Sequence, residues 1–275
     1  MDIIEQLSEE FKLKKEYVQN IINLLDEGCT IPFIARYRKE MHGSCDDQVL
    51  RDFSDRLGYL RNLQKRKQEV EDSIKEQEKW TDELATALSN AKTLTEVEDI
   101  YRPYKPKRKT RASVAIAKGL EPLADIIQEQ TTTEDLLVLA QDFVSEEKEV
   151  NSAQDAINGA KDIIAERVSD DAELRKSLRL IIKEFAIIKT TLLEKENNHV
   201  YEMYAEYSEP VKSIPSHRIL AINRGEKEDC LKVEVVLEEN LALEEIKKFY
   251  ISKYFFNDGW FYTFSQQNKW YKICY

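Results

Sequence analysis

Glycine and proline are scarce in this chain, at 7 and 6 of 275 residues. A β-sandwich needs such residues at its many turns, and a low-complexity chain is rich in them. Their scarcity argues against both. Cysteine is scarcer still, with Cys29, Cys45, Cys230 and Cys274 making the four. None sits in a CxxC pair, and the three histidines, His42, His199 and His217, are scattered. Metal-ligand spacing is absent, so no metal and no cofactor is expected. No apolar run approaches the roughly 20 residues of a membrane span. The N-terminus, MDIIEQLSEEFKLKK, has acids where a signal peptide needs a basic start. The expectation is a cytoplasmic protein with reduced thiols and no membrane partner.

Signatures of catalysis are missing too. There is no GxxxxGK[ST] or GxGxxG phosphate cradle and no nucleophile elbow. The carboxylate pairs Asp46-Asp47 and Asp170-Asp171 read as helix N-termini, where acids meet the positive end of the dipole. His217, after Ser216, reads as a hydrogen-bonded structural residue at a strand entrance. The chain is expected not to be an enzyme.

Charge is abundant. Charged residues make up 34% of the chain, against a usual share of about 25%. The formal net charge is -11, so the whole-molecule field repels polyanions. Against that background residues 102–111 read RPYKPKRKTR, with Arg102, Lys105, Lys107, Arg108, Lys109 and Arg111 in one stretch. Pro103 and Pro106 forbid a regular helix there and push Arg102 and Lys105 toward extended geometry. A stiff basic loop is predicted.

Elsewhere apolar residues recur at helical steps. Ile3, Ile4 and Leu7, then Val18, Ile21, Ile22, Leu24 and Leu25, give two helices over 2–26. Gly28 follows as a left-handed cap. Pro32 suits the first turn of a short helix in which Ile31, Phe33 and Ile34 bury while Arg36, Arg38 and Lys39 project. A long helix starts at Asp46 or Asp47 and runs to about Trp80, with a seam of Leu57, Leu60, Leu63, Val70 and Ile74 broken by Lys67. Thr81 starts another helix, and Thr93 with Glu96 fits a capping box. Three helices lie between Leu123 and Val168, with Thr133 and Ser152 as caps. One more follows SDDAEL, turning Leu174, Leu178, Ile181, Ile182 and Phe185 inward. Two strands, Arg218–Asn223 and Leu231–Leu237, are read as a hairpin around Arg224-Gly225-Glu226. Seven aromatics between Tyr254 and Phe264 follow no period.

Three stretches carry a family resemblance: GCTIPFIARYRKE at 28–40, TEVEDIYRPYKPKRKTRA at 95–112 and PSHRILAINRGE at 215–226. Together they resemble the N-terminal part of the Tex family, bacterial transcription accessory proteins related to a eukaryotic elongation factor. The resemblance runs from residue 1 to about 240. It implies an all-helical N-terminal region with a helix-turn-helix-like unit. In the family this region precedes a nuclease-like YqgF domain, helix-hairpin-helix modules and an S1 domain, none of which is in this sequence. The fold expected is mainly α: a multi-helix N-terminal bundle with one long helix, plus a small β-hairpin near the C-terminus. The division expected is 1–195 helical region, 196–253 start of the Tex central region, and 254–275 an atypical aromatic tail that reads as truncation or frameshift.

Two readings of the basic loop stand side by side. In one, its cations contact phosphates without reading sequence, and Tyr101 and Tyr104 stack on exposed bases. In the other, Arg102, Tyr101 and Tyr104 pin the loop to the body through acids such as Glu96, Glu98 and Asp99. Pinning is favoured for Arg102, phosphate contact for Lys107 to Arg111. Arg36 is expected to pair with an acid on the long helix, whereas Arg38 and Lys39 are candidates to join the loop in a nucleic-acid patch. The function expected is weak, sequence-independent RNA or DNA binding with protein contacts to the transcription machinery. The alternative is a helical scaffold that binds only proteins.

Overall fold

The computed structural model describes residues 2–106, 109–130, 132, 134–193 and 198–250. Lys107, Arg108, the cap predicted at Thr133 and the aromatic tail therefore lie outside the described residues. The chain divides into two compact units, Met1–Tyr101 and Arg102–Tyr275.

The first unit is helical. It comprises α1 (Ile3–Phe11), α2 (Lys15–Asp26), α3 (Ile31–Tyr37), α4 (Lys39–His42), α5 (Asp47–Glu76), α6 (Asp82–Asn90) and α7 (Leu94–Tyr101). Its core gathers Leu7, Val18, Ile21, Ile34, Leu50 and Phe53, the last with its ring centroid 5.3 Å from that of Phe11. The predicted seam of α5 is buried throughout. Its charged break also has a structural role. Lys67 donates to the Ser89 carbonyl at 2.9 Å, at the negative end of α6, and burial pushes its ammonium below the ordinary lysine range. Asp46 and Thr81 cap as predicted, and Glu96 closes a reciprocal box with Thr93.

The hinge from α3 to α5 is held by a buried imidazole. His42 Nε2 donates to the Ile34 carbonyl at 3.2 Å, while Nδ1 accepts from the Cys45 backbone N–H at 3.0 Å. Both bonds are met by one neutral tautomer. Gly43 ends α4 at φ 67°, and a Cβ there would lie 2.8 Å from the Tyr17 ring. Only glycine satisfies both the left-handed backbone and the close ring.

The second unit comprises a 3-10 turn over Arg102–Tyr104, then α8 (Arg111–Ala117), α9 (Glu121–Glu129), α10 (Leu136–Gln141), α11 (Ala153–Asp170) and α12 (Ala172–Phe185). It continues through β1 (Ile187–Leu192), β2 (Glu206–Pro210), α13 (Ser216–Lys227), β3 (Leu231–Val236) and α14 (Glu239–Tyr250). The strands form an antiparallel sheet in the order β2-β1-β3, in which Thr190 faces Tyr207 on one side and Val233 on the other. The main core lies around α11, with α8, α9 and α10 packed on it and α12 and α14 adjoining.

The mainly α expectation holds, with a small antiparallel sheet near the C-terminus. The predicted strand Arg218–Asn223 does not. Residues 216–227 are helical, started after Pro215, and bury Ile222 and Gly225. His217 thus lies exposed in the first turn of a helix rather than at a strand entrance. Of the predicted pair, only the second is a strand, observed over Leu231–Val236, and its antiparallel neighbour is β1. Phe33 and Phe185, expected inward, are 37% and 57% exposed. Asp171 caps α12 as expected, but Asp170 has another task, described next.

Candidate nucleic-acid interface

The basic segment is anchored at both ends to one helix. Arg102, fixed by the 3-10 turn, places Nε 2.9 Å from Asp170 Oδ1, a largely buried carboxylate at the C-terminal end of α11. Arg111, the first residue of α8, lies with Nε 3.6 Å from Asp162 Oδ1. Asp162 and Asp170 stand two helical turns apart on α11, about 12 Å along its axis. Burial pushes the Asp162 carboxyl above the ordinary aspartate range, and the Arg111 charge opposes that. Pinning of Arg102 is therefore observed, but the carboxylate is Asp170 rather than Glu96, Glu98 or Asp99. Glu98 instead accepts from Arg66 at 2.6 Å, and Glu96 is used in the helix cap.

Local chemistry explains why the segment stops where it does. The Thr110 hydroxyl accepts from Ser113 N–H at 3.0 Å while Ser113 Oγ accepts from Thr110 N–H at 2.8 Å, so a reciprocal box starts α8. Small residues then draw α8 onto α11. Ala112 and Ala115 are buried, and a Cβ built on Gly159 of α11 would lie 2.3 Å from Leu120 and 3.3 Å from Ala115. That closeness carries Arg111 to Asp162.

Between the anchors, Lys105 and Lys109 are exposed. Lys107 and Arg108, the centre of the predicted site, lie outside the described residues. Tyr101 is committed to the fold of the first unit, since its hydroxyl meets Ser73 Oγ at 2.9 Å and Arg66 stands 5.4 Å over its ring. Tyr104 is half-buried. Of the two readings, the placement of Tyr101 favours pinning over stacking.

An open groove of about 640 Å³ runs beside the segment. Cations Lys109, Arg111 and Lys118 line it together with Glu149, Asp155 and Asp162. Lys118 donates to the Glu149 carbonyl at 2.8 Å. This surface is mixed in sign. Asp162 and Asp170 are not among the acids that the sequence suggests as partners of the loop, and the signal available is their position: acids on a helix that otherwise buries Ala156, Ala160, Ile163 and Val168.

Arg38 and Lys39 belong to the first unit and are exposed. Among the described residues neither has a carboxylate partner, and Arg38 lays its guanidinium 5.4 Å over the Phe33 ring. Arg36, expected to pair with α5, likewise has no ion pair among the described residues and is exposed. No group of three His, Cys, Asp or Glu able to hold a metal occurs among the described residues. Nor is any described helix long and apolar enough to cross a membrane.

The chain is a mainly helical protein of two compact units with exposed cations in residues 36–39 and 102–111, and comparison gives its family. The Tex-like N-terminal domain matches residues 1–75 and the Tex central region matches residues 131–268. The chain belongs to the Tex family. Protein YdcI of Bacillus subtilis is 47% identical over 234 residues, 84% of this chain and 32% of that protein. Protein tex of Bordetella pertussis is 41% identical over 244 residues, covering 88% and 31%. The human S1 RNA-binding domain-containing protein 1 is 32% identical over 252 residues, covering 88% and 25%. The chain spans about a third of the length of the bacterial relatives it matches.

Proposed function

We propose that this Tex-family chain serves transcription in the cytoplasm by weak, sequence-independent contact of residues 102–111 with nucleic-acid phosphates, supported by protein contacts along its helices. The role is binding rather than catalysis. One observation carries it: Arg102 and Arg111 anchor the segment to α11 while Lys105 and Lys109 remain exposed between them. Ends fixed at Arg102 and Arg111 reduce the entropy that ordering a long flexible arm would cost on binding. Crowded cations also raise the local potential in a chain whose net charge of -11 gives no long-range attraction. The name of a Neisseria gonorrhoeae relative, transcriptional accessory protein Tex, points to the same process, and that of the human relative to RNA.

The test is a salt titration of binding to single-stranded RNA. Contact by Lys105, Lys107, Arg108 and Lys109 predicts a log–log slope near about -3. Changing Lys107, Arg108 and Lys109 together to Gln, with both anchors kept, should flatten it by about 2. A second reading, a scaffold that binds only proteins, draws on Glu149, Asp155 and Asp162, which place negative charge beside the loop. RNA binding absent at low salt decides for the scaffold, and a slope unmoved by the triple change removes the loop as the phosphate contact.

A further inference from the structure

The short helix α3 presents a feature that the basic loop lacks. Phe33 and Tyr37, one turn apart on α3, are 37% and 64% exposed, with ring centroids 5.4 Å apart and planes tilted by 44°. Hydrophobic packing does not explain them, because Ile34 supplies the buried contact of α3. Arg38 extends the pair, its guanidinium 5.4 Å from the Phe33 centroid. Arg36 and Lys39 flank it, and among the described residues none of the three cations has a carboxylate partner. The cation run of α5 differs: Arg66 pairs with Glu98 and Glu69, and Lys65 lies 3.9 Å from Glu69.

We propose that Phe33, Tyr37 and Arg38 form a stacking platform for an unpaired base of single-stranded nucleic acid, with Arg36 and Lys39 taking the adjacent phosphates. Aromatic faces and a guanidinium plane bind any base through stacking, and nearby cations track the backbone. The charges commit the platform to a polyanion: an acidic partner fits these cations, and the exposed rings require that it bring planar apolar groups. The backbone beneath is fixed, since the His42 bond to the Ile34 carbonyl and the left-handed Gly43 hold α3 and α4 in place. This site shares its ligand class with the proposed loop contact but neither its residues nor its unit.

Base dependence separates the two sites. Binding is measured at one salt concentration to an oligouridine of about ten nucleotides, to the matching oligothymidine, and to an abasic oligomer with equal phosphates. The platform predicts that both base-bearing strands bind about five- to twentyfold more tightly than the abasic one. The F33L/Y37L double variant should bind all three nearly equally. The triple Gln variant of Lys107, Arg108 and Lys109 should keep the base preference. 4-Thiouridine in the RNA should crosslink to the peptide carrying residues 33–37. A wild-type chain without base preference, a double variant that retains it, or crosslinks confined to other peptides overturns the proposal. An unchanged salt slope in the triple variant counts against the loop alone.

Discussion

Residues 36–39 and 102–111 are both rich in positive charge, and the fold treats them differently. In the second unit Arg102 and Arg111 meet Asp170 and Asp162. In the first, Arg36, Arg38 and Lys39 have no carboxylate partner among the described residues, and Arg38 lies over an exposed ring. A third run, Lys65-Arg66-Lys67 in α5, shows another fate for such residues: three ion pairs and a hydrogen bond to a helix end. Cation density alone therefore does not identify a polyanion site. What distinguishes the candidates is whether the fold supplies the counter-charge.

The comparison breaks most forcefully at Gly159. Replacing it with Val forces side-chain atoms into Leu120 and Ala115, moving α8 off α11 and Arg111 away from Asp162. Such overpacking is expected to destabilise the second unit by about 2–3 kcal/mol, read as a lower urea midpoint with unchanged slope. Asp170→Asn acts on the other anchor. Arg102 loses its charged acceptor, and a stability loss of about 1 kcal/mol is expected because that guanidinium is still 41% exposed. Faster amide hydrogen exchange at Arg102, Tyr104 and Lys105 is the sharper readout, since it reports release of the anchored end.

A smaller effect separates paired from unpaired arginines. The Arg56 hydrogen bond, chiefly, holds the Glu10 carboxyl below its ordinary value of 4.5. A depressed carboxylate stabilises fully above its unfolded value, and that contribution is lost as pH falls through the lower folded value. Arg56→Gln should remove less than about 1 kcal/mol at neutral pH and flatten the loss of stability below about pH 4.5. Arg36→Gln and Arg38→Gln should leave the acid limb unchanged. Urea midpoints between about pH 6 and about pH 3 check both expectations.

Several helices were legible because an apolar period is joined to a side-chain cap. The seam of α5, the Thr93–Glu96 box and Ser152 before α11 are examples. Residues 218–223 misled because Arg-Ile-Leu-Ala-Ile-Asn offers both β-branched residues and a three-residue step. Burial of Ile222, and the close approach of Gly225 to Leu231 of β3, follow the three-residue step. Strand β1 was hidden because it follows α12 after only Ala186, with no turn residue to mark the change. The site was half legible. Its cations are contiguous, but Asp170 lies far along the chain from Arg102, and only tertiary packing brings them together. Exposure of Phe33 was unreadable for the same reason: hydrophobicity marks it for burial, and only the fold leaves its ring at the surface.

Amide chemical-shift mapping of the intact chain with short single-stranded RNA at low salt tests the central claim most directly. The predicted result is perturbation clustered at residues 33–39 and 102–111 that fades at 102–111 as salt rises. Perturbation confined to other surfaces, or none at the lowest salt, contradicts it.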